Sequence, residues 1–268
     1  MSPRKKTPHW LKALGRDEPP AAIELPSGRY EIERVFKHDF FALTALYRGE
    51  ARSVVLKIGR RAGLFGLPLG WIGRLHAWHE SRVFERLAHL EIVPEFTGRY
   101  GRHGLTHAFV AGCDLREGMA VPDDFFDRLR AGLAAIHALD MAYVDLEKAE
   151  NILVGRDGRP YLFDFQISWY WPPRWGGNLW PLRWIRRRLQ QADRYHCAKL
   201  QRRVRPDQMS RDEFCASRVR PVHVRIYSAL TRPVTLTRRR ILNRIDPRGG
   251  RGAAQRNGER GRVPSRPE

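Results

Sequence analysis

Two stretches decide the fold of this chain: residues 144–151, VDLEKAEN, and residues 161–166, YLFDFQ. They set two carboxylates, Asp145 and Asp164, and one carboxamide, Asn151, around short apolar runs. Hard oxygen donors of this kind suit Mg²⁺, and phosphoryl transfer needs a further carboxylate to orient the attacking hydroxyl. The pattern therefore predicts Asn151 and Asp164 as metal ligands and Asp145 as a catalytic carboxylate.

A hairpin is predicted between these stretches. The apolar runs ILV at 152–154 and YLF at 161–163 flank a turn, GRDG at 155–158, and Asp-Gly between apolar runs favours a hairpin. In this order, residues 145–151 resemble the catalytic loop of the protein-kinase-like superfamily, and residues 164–166 resemble its metal-binding Asp-Phe-Gly. The resemblance implies that Lys148 is the loop lysine that meets the γ-phosphate.

Upstream segments follow in the order of the same family. Residues 53–58, SVVLKI, form a β-branched run with a lysine near its end, and residues 79–87, HESRVFERL, read as a helix. A lone lysine at a strand end is usually only solvated. The resemblance implies instead that Lys57 holds the nucleotide phosphates and that Glu80 pairs with it, with Glu85 as the competing candidate.

The segment LTHAFVAGCDL at 105–115 resembles the hinge between two lobes. The resemblance implies that backbone groups of Ala108 and Val110 face the adenine and that Asp114 reaches the ribose. A helix is predicted from Pro122-Asp123 onward, because apolar residues recur there at helical spacing. That helix either supports the catalytic loop or is simply core; its stripe is Phe126, Leu129, Leu133, Ile136 and Leu139.

The resemblance covers roughly residues 30–168. The joint order of the motifs supports it, because a motif match depends on its structural context. The resemblance implies an α+β, two-lobed protein-kinase-like fold with a β-rich N-lobe and a compact helical C-lobe. We expect the N-lobe at 26–108 and the hinge with the C-lobe at 109–246. Residues 1–25 are expected to be partly ordered. The glycine- and arginine-rich tail at 247–268 is expected to be disordered, because it has little apolar surface to bury.

Several positions depart from the family pattern. Residues 36–41, FKHDFF, contain no glycine where the phosphate loop should lie, so Lys37 or His38 would act by charge there or the loop would be a hydrophobic lid. Tyr143 and Val144 replace the histidine and arginine that precede the catalytic aspartate, which removes a partner for a phosphorylated activation loop. The catalytic loop is one residue longer than the common pattern, and no Ala-Pro-Glu follows Asp164.

The resemblance implies a phosphotransferase that uses ATP and Mg²⁺ and transfers the γ-phosphate to a hydroxyl. The greatest resemblance is to short bacterial lipopolysaccharide kinases, which favours a sugar of lipopolysaccharide or of a similar membrane glycolipid as acceptor. An atypical bacterial serine/threonine kinase with a protein acceptor is the alternative. A pseudokinase that binds partners or an anionic membrane is the alternative of another class.

Composition adds information about partners. The formal net charge is +20, and a charge this large attracts anions. Tryptophans and arginines alternate between 169 and 188 on and before a helix predicted from about Leu182 to Arg203, with Ile185, Leu189 and Ala192 on one stripe. A peripheral membrane contact and a core-facing helix with solvated arginines explain this pattern equally. Nucleic acid is a less favoured partner, because no recognised binding module is present.

The remaining signals concern location. No apolar run approaches the roughly 18 residues that a membrane span requires, and no secretory signal follows the basic start. Cys113, Cys197 and Cys215 lack paired spacing, which argues against a disulfide framework and a zinc site. We therefore predict a cytoplasmic protein, with contact at the inner face of the membrane as an option.

Overall fold

The structure is a computed structural model that describes residues 8–64, 67–172 and 175–221. Its described part divides into two compact units: unit 1 comprises residues 8–88 with Pro94–Val110, and unit 2 comprises His89–Val93 with residues 111–221. Unit 1 thus ends at Val110, two residues after the predicted end of the N-lobe. The predicted tail at 247–268 lies outside the described residues.

Unit 1 is built on a six-stranded antiparallel sheet and one helix. The strand order is β1-β2-β3-β4-β6-β5. The strands are β1 Ala22–Leu25, β2 Gly28–His38, β3 Ala42–Arg48, β4 Ser53–Gly59, β5 Phe96–Tyr100 and β6 Gly104–Ala108, and the helix is α1 Gly70–Leu87. Side chains alternate along β4, so Leu56 and Ile58 enter the apolar core. Lys57 lies on the other face of the sheet, where α1 packs.

The N-terminal segment is part of unit 1 before the sheet begins. A short 3₁₀ turn at His9–Leu11 is followed by buried Ala13 and Leu14. The Ala13 N–H donates to the Asp39 carbonyl at 2.7 Å, and the Ala13 carbonyl accepts from the Arg61 N–H at 2.8 Å. This segment is therefore fixed on the turn that joins β2 to β3. The sheet itself starts at Ala22, four residues before the predicted start of the N-lobe at 26.

Unit 2 contains two small sheets and three α-helices. One sheet has the order β10-β9-β7, and β8 pairs with β11 in the other. The elements are β7 Gly112–Asp114, α2 Phe125–Ala138, β8 Met141–Ala142, β9 Ile152–Gly155, β10 Pro160–Leu162, β11 Trp169–Tyr170, α3 Trp180–Val204 and α4 Arg211–Arg218. The predicted hairpin is formed by β9 and β10. The predicted apolar stripe of α2 is buried as far as Ile136.

The helix α3 has nearly the predicted bounds, but its most buried face is not the apolar stripe noted in the sequence. Ile185, Leu189 and Ala192 are only half-buried. The buried side chains are largely polar: Arg186, Gln190, Asp193, His196, Cys197, Leu200, Gln201 and Val204. Polar side chains can occupy a core when each has a partner, and the Arg186 guanidinium lies 3.0 Å from the Asp140 carboxylate. An apolar stripe is therefore a poor guide to how this helix packs.

Candidate active site

The clearest functional pair of unit 1 is Lys57 with Glu80. Their Nζ and Oε1 atoms lie 2.7 Å apart, and the Glu80 side chain is 3% exposed. Glu80 shares one face of α1 with Phe84 and Leu87, so burial of that face brings its carboxylate to β4. Glu85, the competing candidate, is instead half-exposed and pairs with Arg99 at 3.1 Å. The predicted choice of Glu80 agrees with this geometry.

Asp145 is the centre of a compact polar cluster in unit 2. Its Oδ2 accepts from the Asn151 Nδ2 at 2.8 Å and from the Lys148 Nζ at 2.7 Å. The same Nδ2 also donates to the Asp145 carbonyl at 3.0 Å. Asn151 is 7% exposed and sits at the end of the 3₁₀ turn Ala149–Asn151. Three of the sequence-predicted site residues are thus brought together.

Asp193 on α3 is a site residue that the sequence analysis missed. Its fully buried carboxylate accepts from the Tyr143 N–H and the Val144 N–H, both at 2.8 Å, and lies 3.0 Å from the His137 Nε2. These contacts fix the backbone that leads into Asp145. A signal was present in the sequence, because Asp193 is the single acidic residue between Asp164 and Asp207.

The backbone before Asp145 is strained. Val144 has φ 73°, which is unfavourable for a β-branched residue. Such a conformation persists only where its surroundings enforce it. The hydrogen bond from the Val144 N–H to Asp193 is one such restraint. Left-handed geometry also occurs at Asp164, with φ 65°.

Tyr143 connects the two predicted motifs. Its hydroxyl lies 2.5 Å from the Phe163 carbonyl oxygen and 3.4 Å from the Asn151 carbonyl oxygen. Its ring meets the Phe165 ring edge-on, with 5.4 Å between ring centroids, and both residues are fully buried. The tyrosine noted as a departure from the family pattern therefore anchors the backbone on both sides of the hairpin.

Asn151 and Asp164 have a donor chemistry that fits Mg²⁺. Both bonds of the Asn151 amide to Asp145 use Nδ2, so the Oδ1 atom is left for a cation. The pairing of Ile152 with Leu162 puts the chain just before β9 beside the chain just after β10, where Asp164 follows. Among the described residues no group of three or more His, Cys, Asp or Glu could hold a metal. Asn151 and Asp164 would supply two oxygen donors to Mg²⁺, and its further ligands would come from a nucleotide or from water.

In the glycine-free turn between β2 and β3, the Asp39 side chain accepts hydrogen bonds from nearby backbone N–H groups. The Asp39 Oδ1 accepts from the N–H groups of Phe41 and Ala42, each at 2.9 Å, and its Oδ2 lies 2.8 Å from the Lys37 Nζ. Burial alone would raise the pKa of Asp39, but Lys37 and the two N–H donors outweigh it and lower that pKa. Two backbone donors of this turn are thus already occupied by a carboxylate of the protein.

The predicted hinge residues have different environments. The Ala108 N–H donates to the Glu95 carbonyl at 2.7 Å, and the Ala108 carbonyl oxygen lies 2.9 Å from the His107 Nδ1, so both backbone polar groups of Ala108 already have a neighbour. Val110 is the last residue of unit 1 in this part of the chain. Asp114 ends β7 in unit 2 and is 3% exposed. The predicted roles of these three residues in nucleotide binding stay predictions.

The strand order of unit 1, the Lys57–Glu80 pair and the loop around Asp145 together define a protein-kinase-like fold. A solved structure of the Rio2 kinase–ADP/Mg²⁺–phosphoaspartate complex from Chaetomium thermophilum is similar, with a TM-score of 0.50 and 20% sequence identity over 69% of this chain and 61% of that one. A second Rio2 kinase structure from the same organism gives a TM-score of 0.49 and 17% identity over 65% and 58% of the two chains. No family model and no curated protein matches the sequence.

The similarity to the first Rio2 structure confirms the predicted two-lobed kinase-like fold. This chain spans less than two thirds of the length of the Rio2 chains that it matches. At this identity the similarity concerns the fold alone, and the resemblance to lipopolysaccharide kinases stays a prediction. Within the described residues, no helix is both long enough and apolar enough to cross a bilayer.

Proposed function

We propose that this chain is an ATP-dependent phosphotransferase that transfers the γ-phosphate to a hydroxyl group. The observation that carries the proposal is the fixed carboxylate of Asp145, held at Oδ2 by Asn151 and Lys148. The other oxygen, Oδ1, is not used in these contacts and is the proposed acceptor of the substrate hydroxyl proton. Lys148 is proposed to meet the γ-phosphate, because a loop lysine can offset charge that builds up during transfer.

Nucleotide-binding roles are proposed for residues of unit 1 and of unit 2, each unit taken by itself. In unit 1, Lys57 holds phosphate oxygens, and its ion pair with Glu80 keeps the ammonium in place. In unit 2, the Asn151 Oδ1 and the Asp164 carboxylate hold Mg²⁺, which neutralises charge on the β- and γ-phosphates when bound. The carbonyl of Ala108 and the backbone of Val110 are proposed to read the adenine. Asp114 is proposed to reach the ribose.

A sugar hydroxyl of lipopolysaccharide or of a similar membrane glycolipid is the first acceptor to test. In support, only residues 165–179 lie between Asp164 and the start of α3, which leaves little chain to hold an extended peptide. A serine or threonine of a protein is the alternative acceptor, and a cytoplasmic location is proposed for either. The catalytic groups do not distinguish the two, since both acceptors are alcohols.

Transfer is tested by incubating the purified protein with labelled ATP and Mg²⁺, separately with lipid-linked sugars and with protein acceptors. We expect Asp145→Asn and Asp164→Asn each to reduce transfer by roughly 100-fold or more while the protein stays folded. Because the Rio2 neighbour is described as a phosphoaspartate complex, any labelled protein should also be treated with hydroxylamine, which cleaves acyl phosphates and spares phosphoserine. Wild-type turnover in either variant would refute the assigned roles.

A pseudokinase is the second candidate, and the turn at Asp39 favours it. The N–H groups of Phe41 and Ala42 are bonded to the Asp39 carboxylate, so they are not offered to a nucleotide phosphate in this conformation. A protein that binds partners without turnover has no need of those donors. Absence of ATP binding by the wild-type protein at any Mg²⁺ concentration would support this candidate over the phosphotransferase.

A further inference from the structure

The outer face of the first half of α3 and the loop before it form an exposed surface, here named the Trp-Arg surface. Its apolar members have large exposed fractions: Trp171 43%, Trp175 54%, Leu179 63%, Trp180 72% and Trp184 49%. Its basic members are the exposed Arg183, Arg187 and Arg188. All of these residues lie in unit 2 and outside the proposed catalytic cluster.

Helical spacing places aromatic and basic side chains side by side on this surface. Trp180, Trp184 and Arg188 recur every four residues, and Arg183 and Arg187 each lie three residues after a tryptophan, so these five side chains share one face of α3. The Arg188 guanidinium lies 5.4 Å from the centroid of the Trp184 ring.

Arg186 provides an internal contrast. It lies on the opposite face of the helix, is 8% exposed, and pairs with Asp140. That arginine supports the fold. The arginines of the Trp-Arg surface are exposed instead, and their charge faces solvent.

Charge on this surface has a single sign. No Asp or Glu occurs from residue 165 to residue 192, a stretch that includes five tryptophans. Exposed tryptophan costs hydration free energy unless the ring finds an interfacial or apolar environment. An exposed aromatic surface of this size, in a stretch whose charged side chains are all arginine, indicates an anionic partner with an apolar layer below its charges.

We propose that the Trp-Arg surface docks on an anionic lipid bilayer. Tryptophan rings prefer the headgroup zone, and arginines beside them bind lipid phosphates, so a convex helix face with both can lie in the plane of the interface. A second copy of the chain would oppose arginine to arginine at a two-fold contact, which is unfavourable. The docking does not depend on phosphotransfer, and Asp145→Asn should bind vesicles as the wild type does.

The test is sedimentation of the full chain with vesicles of phosphatidylcholine, with and without phosphatidylglycerol. We expect binding to the anionic vesicles, weakened by NaCl, and quenching of tryptophan fluorescence by brominated lipid. Trp180→Ala/Trp184→Ala should lower the partition coefficient by roughly tenfold, because binding scales with buried apolar area. Each of Arg183→Gln, Arg187→Gln and Arg188→Gln should lower it by about fivefold.

Matched controls come from exposed residues elsewhere. Trp71 and Trp78 on α1 are 55% and 40% exposed, so Trp71→Ala/Trp78→Ala removes similar apolar area from another surface. Arg102→Gln, Arg116→Gln and Arg156→Gln each remove one charge from an exposed position outside the Trp-Arg surface, as each single arginine variant does on that surface. Both kinds of control should leave the Trp180- and Trp184-dependent part of binding intact.

Three results would overturn the proposal. The first is no binding of the wild type to anionic vesicles. The second is equal loss in the control and Trp-Arg variants, which would indicate binding by net charge alone. The third is Trp184-dependent binding of a single-stranded oligonucleotide with no vesicle binding, which would assign the rings to base stacking. If the tryptophan variant does not fold, absence of quenching by brominated lipid in the wild type refutes the docking.

Discussion

Two carboxylates, Asp193 and Asp39, fix two loops by the same interaction, and their surroundings differ. Each accepts two backbone N–H groups at 2.8 to 2.9 Å. Asp193 is fully buried, and its two acceptor bonds span 50 and 49 residues of sequence to Tyr143 and Val144. Asp39 is bonded to amides two and three residues away in its own turn. One anchor is tertiary and the other is local.

The consequence for function is opposite in the two loops. Asp193 holds the chain before Asp145 in a strained shape and leaves the Asp145 carboxylate to chemistry. Asp39 holds the β2–β3 turn by occupying amides that a phosphate would otherwise use. The same kind of hydrogen bond thus positions the proposed catalytic loop in one case and occupies the backbone amides of the β2–β3 turn in the other. We infer that the proposed catalytic loop keeps more of the groups that phosphoryl transfer would need than the β2–β3 turn does.

The largest expected effect comes from removing the tertiary anchor. Asp193→Ala leaves the Tyr143 and Val144 N–H groups buried without an acceptor, and we expect a loss of about 2–5 kcal/mol in the free energy of unfolding. Urea denaturation measures this loss. Asp207→Ala is the control, because its carboxylate is exposed beside Arg205 and an exposed ion pair contributes little to stability. Similar losses in both variants would contradict a special role for Asp193.

Removing the local anchor should have a smaller effect on stability. We expect Asp39→Ala to cost about 1 kcal/mol, because the turn is partly exposed and water can replace the lost acceptor. If the turn contacts phosphates, the freed amides and the lost negative charge should tighten ATP–Mg²⁺ binding by roughly threefold to tenfold. Calorimetry on this variant and on Asp39→Asn, which keeps an acceptor oxygen, separates charge from turn geometry. Weaker ATP binding in both would contradict this account of the turn.

The turn should also loosen from the N-terminal segment in acid. Burial lowers the pKa of His38, with Lys12 adding to the effect, and the neutral His38 Nε2 accepts the Leu14 N–H at 3.3 Å. Because the unfolded state binds the proton more readily, this stability is present above the ordinary value of 6.5 and is lost as the pH falls below it. The protection factor of the Leu14 amide against hydrogen exchange should fall as the pH falls through that range. His38→Gln keeps an acceptor that does not titrate, so the pH dependence at the Leu14 amide should flatten in this variant. An unchanged pH dependence would contradict the role of His38.

A similarly small effect on stability is expected at the link between the two motifs. Tyr143→Phe removes the hydroxyl beside the Phe163 carbonyl and keeps the ring against Phe165, so we expect a loss of about 1 kcal/mol in unfolding free energy. Phosphoryl transfer should fall less in this variant than in Asp193→Ala. A larger fall in transfer after Tyr143→Phe would move the main anchor of the catalytic loop from Asp193 to Tyr143.

Local pattern accounts for much of the fold and for part of the candidate site. The β-branched run of β4, the apolar stripe of α2 and the Asp-Gly turn of the β9–β10 hairpin each depend on neighbours in sequence, and each could be predicted. The pairing of Lys57 with Glu80 followed from the family resemblance and from the helical face that Glu80 occupies.

The tertiary anchor could not be predicted in the same way. Nothing near Asp193 in the sequence indicates that its partners lie about 50 residues earlier, and the polar buried face of α3 hides it from an apolar periodicity. The turn at Asp39 was noted only for its lack of glycine. An aspartate is itself a turn signal, because its side chain can accept a hydrogen bond from the backbone N–H two residues later. Hydrogen bonds between residues far apart in the sequence, such as those of Asp193, could therefore not be predicted from local pattern.

The most direct test of the central claim is the binding of ATP measured by calorimetry, with and without Mg²⁺, on the wild type and on Asp164→Asn. The account predicts binding that requires Mg²⁺ and is lost in Asp164→Asn, since Asp164 and Asn151 are proposed to hold the ion. Absence of ATP binding by the folded wild-type protein, or Mg²⁺-dependent binding that survives Asp164→Asn unchanged, would contradict it.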